Sequence, residues 1–453
     1  MDERAVVTAF LRNDGEVLLL RRSDAVGSYQ GRWGGVAGHV ADDERGHERS
    51  EGPRNSDRRT EASHEQRDPE TAARAEIAEE TGLADAVTLV TSGDPFPVED
   101  ADRDTRWVVH PFLFDCDSRA VETNEETTET AWVHPPEILR RETVPRLWTS
   151  YDRVRPRVAT VRDDRTRGSA WLSVRALEVL RDEAALATEG RTDELESADR
   201  DGDDWTALAS LARGLRDARP SMAVLANRVN RVMLAASDER TPEAVETATR
   251  RAIGQAVDAD REAAELAARA LPDRVATLSR SGTVETAIRM AEPEAVLVAE
   301  SRPGGEGVGV AESLADATAV TLTTDAALAF ELAEWDADAV LVGADRVLPD
   351  GRVVNKAGTR GAALAATETG AECLVVASSD KVAATADYDL ELRDAAEVYD
   401  GDADLAVVNP TFDVTPADAV TAVVTEQGRL NTAEVEAVAA AHREWATWDD
   451  AQS

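Results

Sequence analysis

With 453 residues, 42% of them hydrophobic, the chain is long enough for two or three domains with cores of their own and too apolar for a disordered acidic polymer. Aspartate and glutamate number 89 and the formal net charge is -39; with no sizeable basic patch, this argues against direct binding to nucleic-acid phosphates. All but two of the 50 basic residues are arginine; the lysines are Lys356 and Lys381. An acidic, lysine-poor composition of this kind suits concentrated salt: at ~1 M the Debye length falls to about 3 Å and screens self-repulsion. Most of the acid is therefore assigned to salt adaptation rather than to a basic partner. Cys116 and Cys373 sit in apolar stretches far apart, as core thiols do, and do not suggest a disulfide or a metal site. With no basic-then-apolar leader and no run of ~18 apolar residues, the expectation is a cytoplasmic protein without a membrane partner.

The first elements are a hairpin, "AVVTAFLR" and "EVLLLRR" around the turn "NDG", followed by the glycine-rich stretch Gly31–Val40. Residues 42–68 hold no apolar residue larger than alanine and are expected to be a disordered insertion. Asp68 then caps a helix, Pro69 suits its first position, and Gly82 ends it. "WVVHPFLFDC" and "TAWVHPPEIL" read as strands and "VPRLWTSYDRVRP" as a closing helix. From about Arg165 the pattern turns helical, beginning with an amphipathic "SAWLSVRALEVLRDEAALA" and continuing to about Leu271. After that, "RVATLS", "AVLVAES", "AVTLTT", "AVLVGAD", "ECLVVAS" and "LAVVNP" alternate with helical segments, which predicts a parallel sheet with crossover helices.

On the helix after the insertion, Glu76, Glu79 and Glu80 stand at i, i+3 and i+4, on one face. Crowded carboxylates suit a hard cation such as Mg²⁺, although a solvated acidic face has the same spacing. The order hairpin, glycine-rich loop, acidic helix, strand resembles the Nudix hydrolase family, with "EIAEETGL" matching the end of its motif and Gly38 as the opening glycine. Ala75 stands where that motif has arginine, and Arg67 where it has its first glutamate. The resemblance implies an α/β/α sandwich with a mixed sheet over residues 1–160. It also implies a Mg²⁺- or Mn²⁺-dependent hydrolase of a nucleoside diphosphate derivative. Glu76, Glu79 and Glu80 would be metal ligands and catalytic, and Gly38 would belong to the ligand site.

A second candidate site follows from strand ends. Parallel sheets bind ligands at the carboxyl ends of their strands. "VLVGAD" ends at Asp345, "VVNKAGT" follows, and Arg302 comes directly after "VLVAES". Glycine-rich backbone, arginine and lysine in one place suit phosphate. Lys356 and Lys381 both lie at strand ends of the predicted sheet; chance survival is the plain alternative to retention for an anionic ligand.

The motifs "TRGSAW", "ARPSM", "SRSGTV", "ESRP", "TTDAA", "GADRVLPDGRVVNKAGT" and "NPTFDVTP" resemble the translation initiation factor 2B alpha/beta/delta-like proteins, relatives of methylthioribose-1-phosphate and ribose-1,5-bisphosphate isomerases. The resemblance implies a helical subdomain (165–271), a Rossmann-like domain (272–453) and a homodimer or larger assembly through them. It places Arg167, Arg219, Arg302, Asn355 and Lys356 around phosphate groups and makes Asp345 the acid/base. Ser279 takes the place of the isomerases' cysteine, and a serine hydroxyl is a far weaker acid than a thiol. The first expectation is therefore a Mg²⁺-dependent hydrolase fused to a sugar-phosphate- or nucleotide-binding domain. A non-catalytic regulatory protein linked to translation comes second, and an aldose–ketose isomerase, disfavoured by Ser279, third.

Overall fold

The computed structural model describes residues 2–40, 68–196 and 203–449. The insertion expected over 42–68 and Arg67 lie, Asp68 excepted, outside the described residues. The chain divides into two compact units, Met1–Arg155 and Pro156–Ser453.

The N-terminal unit contains β1 (Asp2–Asn13), β2 (Glu16–Arg22), β3 (Trp33–Gly34), β4 (Val36–His39), α1 (Pro69–Thr81), β5 (Val87–Ser92), β6 (Phe96–Asp100), β7 (Thr105–Cys116), β8 (Thr127–Val133), α2 (Glu137–Arg140) and α3 (Leu147–Asp152). The β1–β2 turn is Asp14–Gly15, both with positive φ (49° and 80°), the conformation a two-residue hairpin loop needs. The sheet is mixed: β1 runs parallel to β7 and antiparallel to β2 and β4. Asp68 caps α1 by accepting a hydrogen bond from the Thr71 amide at 3.2 Å, and Gly82 ends it at φ 68°. Ala72, Ala73 and Ile77 of α1 pack into a core with Val7, Leu11, Leu18 and Phe114. That packing fixes the rotation of the helix and leaves Glu79 exposed, Glu76 half-buried and Glu80 buried.

The C-terminal unit opens with helices α4 (Val158–Asp163), α5 (Ser169–Thr188), α6 (Asp204–Arg216), α7 (Ala223–Ala236) and α8 (Pro242–Ala268). It continues through β9 (Arg274–Leu278), α9 (Gly282–Ala291), β10 (Ala295–Ala299), α10 (Glu306–Leu314), β11 (Ala319–Thr323), α11 (Leu328–Glu334) and β12 (Ala339–Val342). Then come β13 (Arg346–Val347), β14 (Val353–Lys356), α12 (Thr359–Thr369), β15 (Glu372–Val376), β16 (Phe412–Thr415), β17 (Ala422–Thr425), β18 (Gly428–Leu430) and α13 (Thr432–Trp445). The main sheet has the order β11-β10-β9-β12-β15-β17-β18, parallel except for β18, and β13, β14 and β16 form a small antiparallel sheet. The chain winds outward from β9 in one direction and from β12 in the other. A crevice therefore opens at the carboxyl ends of these two neighbours. Among the described residues, no helix is long and apolar enough to cross a membrane.

Two expectations need correcting. "LAVVNP" is not a strand: Leu405 and Val408 are exposed, and the place beside β15 is taken by Ala422–Thr425. Helix α5 is not amphipathic in its surroundings. Leu172–Ala187 are buried throughout, and four of the five charged residues there are buried in pairs, Arg175 with Glu178 at 2.9 Å and Arg181 with Asp182 at 2.8 Å, while Glu183 accepts from the Glu196 amide at 2.6 Å. Pairing is what lets a charged stripe enter a helical core.

Helix α10 approaches the end of β10 so closely that a Cβ on Gly307 would overlap the Ala299 carbonyl oxygen. Gly307→Ala is accordingly expected to destabilise the C-terminal unit by about 1–3 kcal/mol, read as a lower denaturant midpoint with an unchanged slope.

Candidate functional site

In the N-terminal unit, α1 carries Glu76 and Glu80 against β4. A Cβ on Gly38 would overlap the Glu76 carboxyl group, so the glycine makes room for that side chain. Glu80 is buried and accepts a hydrogen bond from the Ala37 amide at 3.3 Å. Burial, and then the neighbouring Glu76 charge, push its carboxyl up to about 8, against the pull of that amide and of Arg22. A buried carboxylate beside a second one is a donor pair that a hard divalent cation would stabilise. Glu79 is exposed, and among the described residues no three acidic, histidine or cysteine side chains form a group that could hold a metal ion. Glu76 and Glu80 thus fit a cation as a pair; the expected trio does not come together. Beside them lies a slot of about 110 Å³ lined by Gly38, Arg22, Tyr29, His39, Trp107 and Leu147, among others. Tyr29 donates to Asp100 at 2.7 Å, and the Arg103 guanidinium lies 4.8 Å from its ring centre. Of these slot residues only Gly38 was singled out from the sequence; Trp107 and Leu147 lie in apolar stretches that read as core.

Glu80 holds its proton in the folded, metal-free protein to about pH 8, whereas the ordinary value is 4.5. The unfolded chain loses that proton first, so stability falls as pH rises from about 4.5 to about 8. Thermal melts across this window should show the decline in the wild type and a flatter profile in Glu80→Gln. Saturating Mg²⁺ should flatten the wild-type profile in the same way.

The C-terminal unit holds a cavity of about 570 Å³ at the β9/β12 crevice. It gathers Arg167, Arg219, Asp345, Asn355 and Lys356, all expected from the sequence, and Ser279. The amino ends of α5 and α9, at Ser169–Trp171 and Gly282–Thr283, also open into it, and free amides at helix starts favour anions. Seven cationic side chains line the cavity against three acidic ones, the reverse of the chain as a whole. Several are pinned from behind. Arg219 is held by Glu391 at 2.9 Å and by the Asp164 carbonyl at 2.7 Å. Arg167 is held by Asp164 at 2.9 Å and lies 4.4 Å from the Trp171 ring centre. Asn355 donates to Thr359 Oγ1 at 3.0 Å. Lys356 Nζ meets Glu306 at 2.5 Å, so an anion reaching this lysine competes with a carboxylate already there.

Burial pushes the Asp345 carboxyl above the usual range, with Lys381, the Ser169 hydroxyl and Arg219 pulling it back. Burial likewise pushes the Lys381 ammonium down, against Asp345 and Asp260. Ser279 has a left-handed backbone (φ 63°), and its amide donates to Ser301 Oγ at 2.6 Å. Arg302 departs from expectation. Asp325 accepts from the Ser301 and Arg302 amides at 2.8 and 2.6 Å and turns the chain, and the Arg302 side chain lies exposed on Glu300 at 3.0 Å, outside the cavity. Arg280, Glu306 and Arg393 line it although nothing in the sequence marked them.

The family model described as "NUDIX domain" matches residues 1–158, and the one described as "Initiation factor 2 subunit family" matches residues 165–432. The chain is 33% identical over 279 residues to a ribose 1,5-bisphosphate isomerase of Haloferax volcanii, covering 57% of this chain and 85% of that one. Over 159 residues it is 37% identical to a methylthioribose-1-phosphate isomerase of Heliobacterium modesticaldum, covering 32% of this chain and 46% of that one. Among solved structures it resembles the Pyrococcus horikoshii translation initiation factor eIF-2B, with a TM-score of 0.51 and 28% identity over 60% of this chain and 94% of that chain. These relatives lend no support to setting isomerisation aside on account of Ser279. The chain belongs to the initiation factor 2 subunit family through its C-terminal unit and carries a NUDIX domain in front of it.

Proposed function

We propose that the C-terminal cavity takes a sugar phosphate, and that the N-terminal unit hydrolyses a diphosphate bond in a nucleoside diphosphate derivative with the help of Mg²⁺ or Mn²⁺. The observation that carries the first half is the concentration of cations and two helix amino ends around Asp345 in a chain of net charge -39. Phosphate would lie among Arg167, Arg219, Asn355 and Lys356, leaving the sugar carbons near Asp345. The second half rests on the Glu76–Glu80 pair beside an aromatic slot. The cation would be held by Glu76 and Glu80 and would supply charge neutralisation of the diphosphate and an activated water.

A second reading, that the cavity isomerises its sugar phosphate, is supported by the relatives that bear isomerase names and by the half-buried Asp345, whose carboxyl is pushed above the usual range at the cavity wall. Self-association through the C-terminal unit is part of the proposal. Leu392 and Val408, 79% and 78% exposed, are large apolar side chains in the segment between β15 and β16 that a second copy would cover. Light scattering in multimolar KCl should give a mass above that of one chain.

³¹P NMR with Mg²⁺ in multimolar KCl tests the hydrolase, using nucleoside diphosphate sugars, dinucleotides and nucleoside triphosphates. Diphosphate signals are expected to disappear with wild type and persist with Glu80→Gln; persistence with both would leave the N-terminal unit a binding module. For the cavity, calorimetry with ribose 1,5-bisphosphate should show Lys356→Gln binding about 10- to 100-fold more weakly, the loss expected for one charge-assisted contact.

A further inference from the structure

All but two of the chain's 50 basic residues are arginine, and the two lysines both line the same cavity. A phosphate is held at least as well by arginine as by lysine. What arginine cannot do is give up a proton near neutral pH. The two lysines are not equivalent. Lys356 is engaged by Glu306 at 2.5 Å. Lys381 is buried in the turn after β15, and among the described residues no hydrogen bond or ion pair holds its ammonium; its amide alone is tied, donating to the Ser378 carbonyl at 3.0 Å. Asp345 and Asp260 act on it through space. Asp345 and Lys381 thus both face the cavity without closing on each other in a direct ion pair.

Resting on the reading of the cavity as a sugar-phosphate site that isomerises its ligand, we propose that Lys381 is the second proton-transfer group of that reaction, working with Asp345 in the role for which Ser279 is too weak an acid. An aldose 1-phosphate needs one group to open the ring and another to move the carbon-bound hydrogen. The Lys381 ammonium gives a proton to the ring oxygen as its bond to C1 breaks with the electron pair, leaving the C1 centre cationic. The Asp345 carboxylate takes the proton from C2, and the C–H pair forms the C1=C2 bond of a neutral enol. Asp345 returns that proton to C1. The C2 hydroxyl becomes the ketone carbonyl as its proton passes to the Lys381 amine, which restores both groups. No oxidant or co-reactant is needed. The opposed shifts of the two groups, carboxyl up and ammonium down, narrow the gap between them and favour such an exchange.

The experiment uses the full chain in multimolar KCl with ribose 1,5-bisphosphate and 5-methylthioribose 1-phosphate. Ketose formation and deuterium uptake from D₂O are followed by ¹H NMR, and binding by calorimetry. Wild type should form ketose. Lys381→Met and Lys381→Arg should bind within about threefold of wild type but turn over about 10²- to 10⁴-fold more slowly, the usual scale of an acid–base group. Retained binding also shows that the variants fold. Equal turnover by Lys381→Arg would mean that only charge matters and would overturn the inference. So would parallel loss of binding and turnover in both variants, which makes Lys381 a ligand contact. Wild-type binding without ketose or deuterium uptake overturns the inference and leaves the sugar-phosphate site standing. Absence of wild-type binding removes the site itself.

Discussion

Arg228 is the fixed point on which the C-terminal unit turns. Its guanidinium is wholly buried and donates to Asp380 and to Ser173 Oγ, each at 2.8 Å, and to Asp260 and Ser378 Oγ, each at 3.3 Å. Those partners come from α5, α8 and the turn after β15, so one side chain of α7 joins three parts of the fold. Asn227 completes the clamp by donating to the carbonyls of Asp380 and Val382 at 2.8 and 2.7 Å. Burial alone would raise the Asp380 carboxyl, but Arg228 and Arg231 hold it below the usual range. A buried ion of this kind is tolerated only with its full set of partners, and removing one typically costs about 3–5 kcal/mol. The turn fixed in this way is the one that carries Lys381. The lysine's place in the cavity therefore depends on the packing of helices against the sheet.

Much of the fold was legible in local chemistry. Asp14–Gly15 fixed the first hairpin, and Asp68, Pro69 and Gly82 bounded α1, because turns and caps demand particular residues whatever surrounds them. The alternation of short apolar runs with helical stretches gave a parallel sheet for the same reason: only crossover helices connect such strands. Two failures share a cause. "LAVVNP" looks like a strand, and "SAWLSVRALEVLRDEAALA" looks like an amphipathic helix with a wet, charged face. Both readings assume that hydrophobicity decides exposure. Tertiary context reversed each one, by giving the sixth place in the sheet to Ala422–Thr425 and by pairing buried charges within α5.

The candidate sites were legible to the extent that they depend on strand ends and helix faces. Asp345, Asn355, Lys356, Arg167 and Arg219 meet in one cavity because β12, β14 and the starts of α5 and α7 converge at the crevice. Arg302 does not join them, since the direction of a side chain leaving a strand is set by the next two residues, here held by Asp325. Glu79 does not join Glu76 and Glu80, although helical spacing puts all three on one side; the face is broad enough for its edge to stay in water. Arg280 and Arg393 come from a strand-to-helix turn and an irregular segment, where sequence carries no period from which a direction could be read.

The acidity of the chain and the character of its cavity are two aspects of one constraint. At -39 the protein repels anions at long range in dilute buffer, so steering cannot bring a phosphorylated ligand to the cavity. In concentrated salt the repulsion is screened within about 3 Å, and so is any attraction beyond direct contact. Recognition then has to rest on groups that touch the ligand. A cavity with two helix amino ends and guanidinium groups pinned from behind by Asp164 and Glu391 meets that demand, because its donors are oriented before the anion arrives. Arginine serves the pinned positions well, being planar and permanently charged. It serves badly wherever a proton must move, which is the role proposed for Lys381.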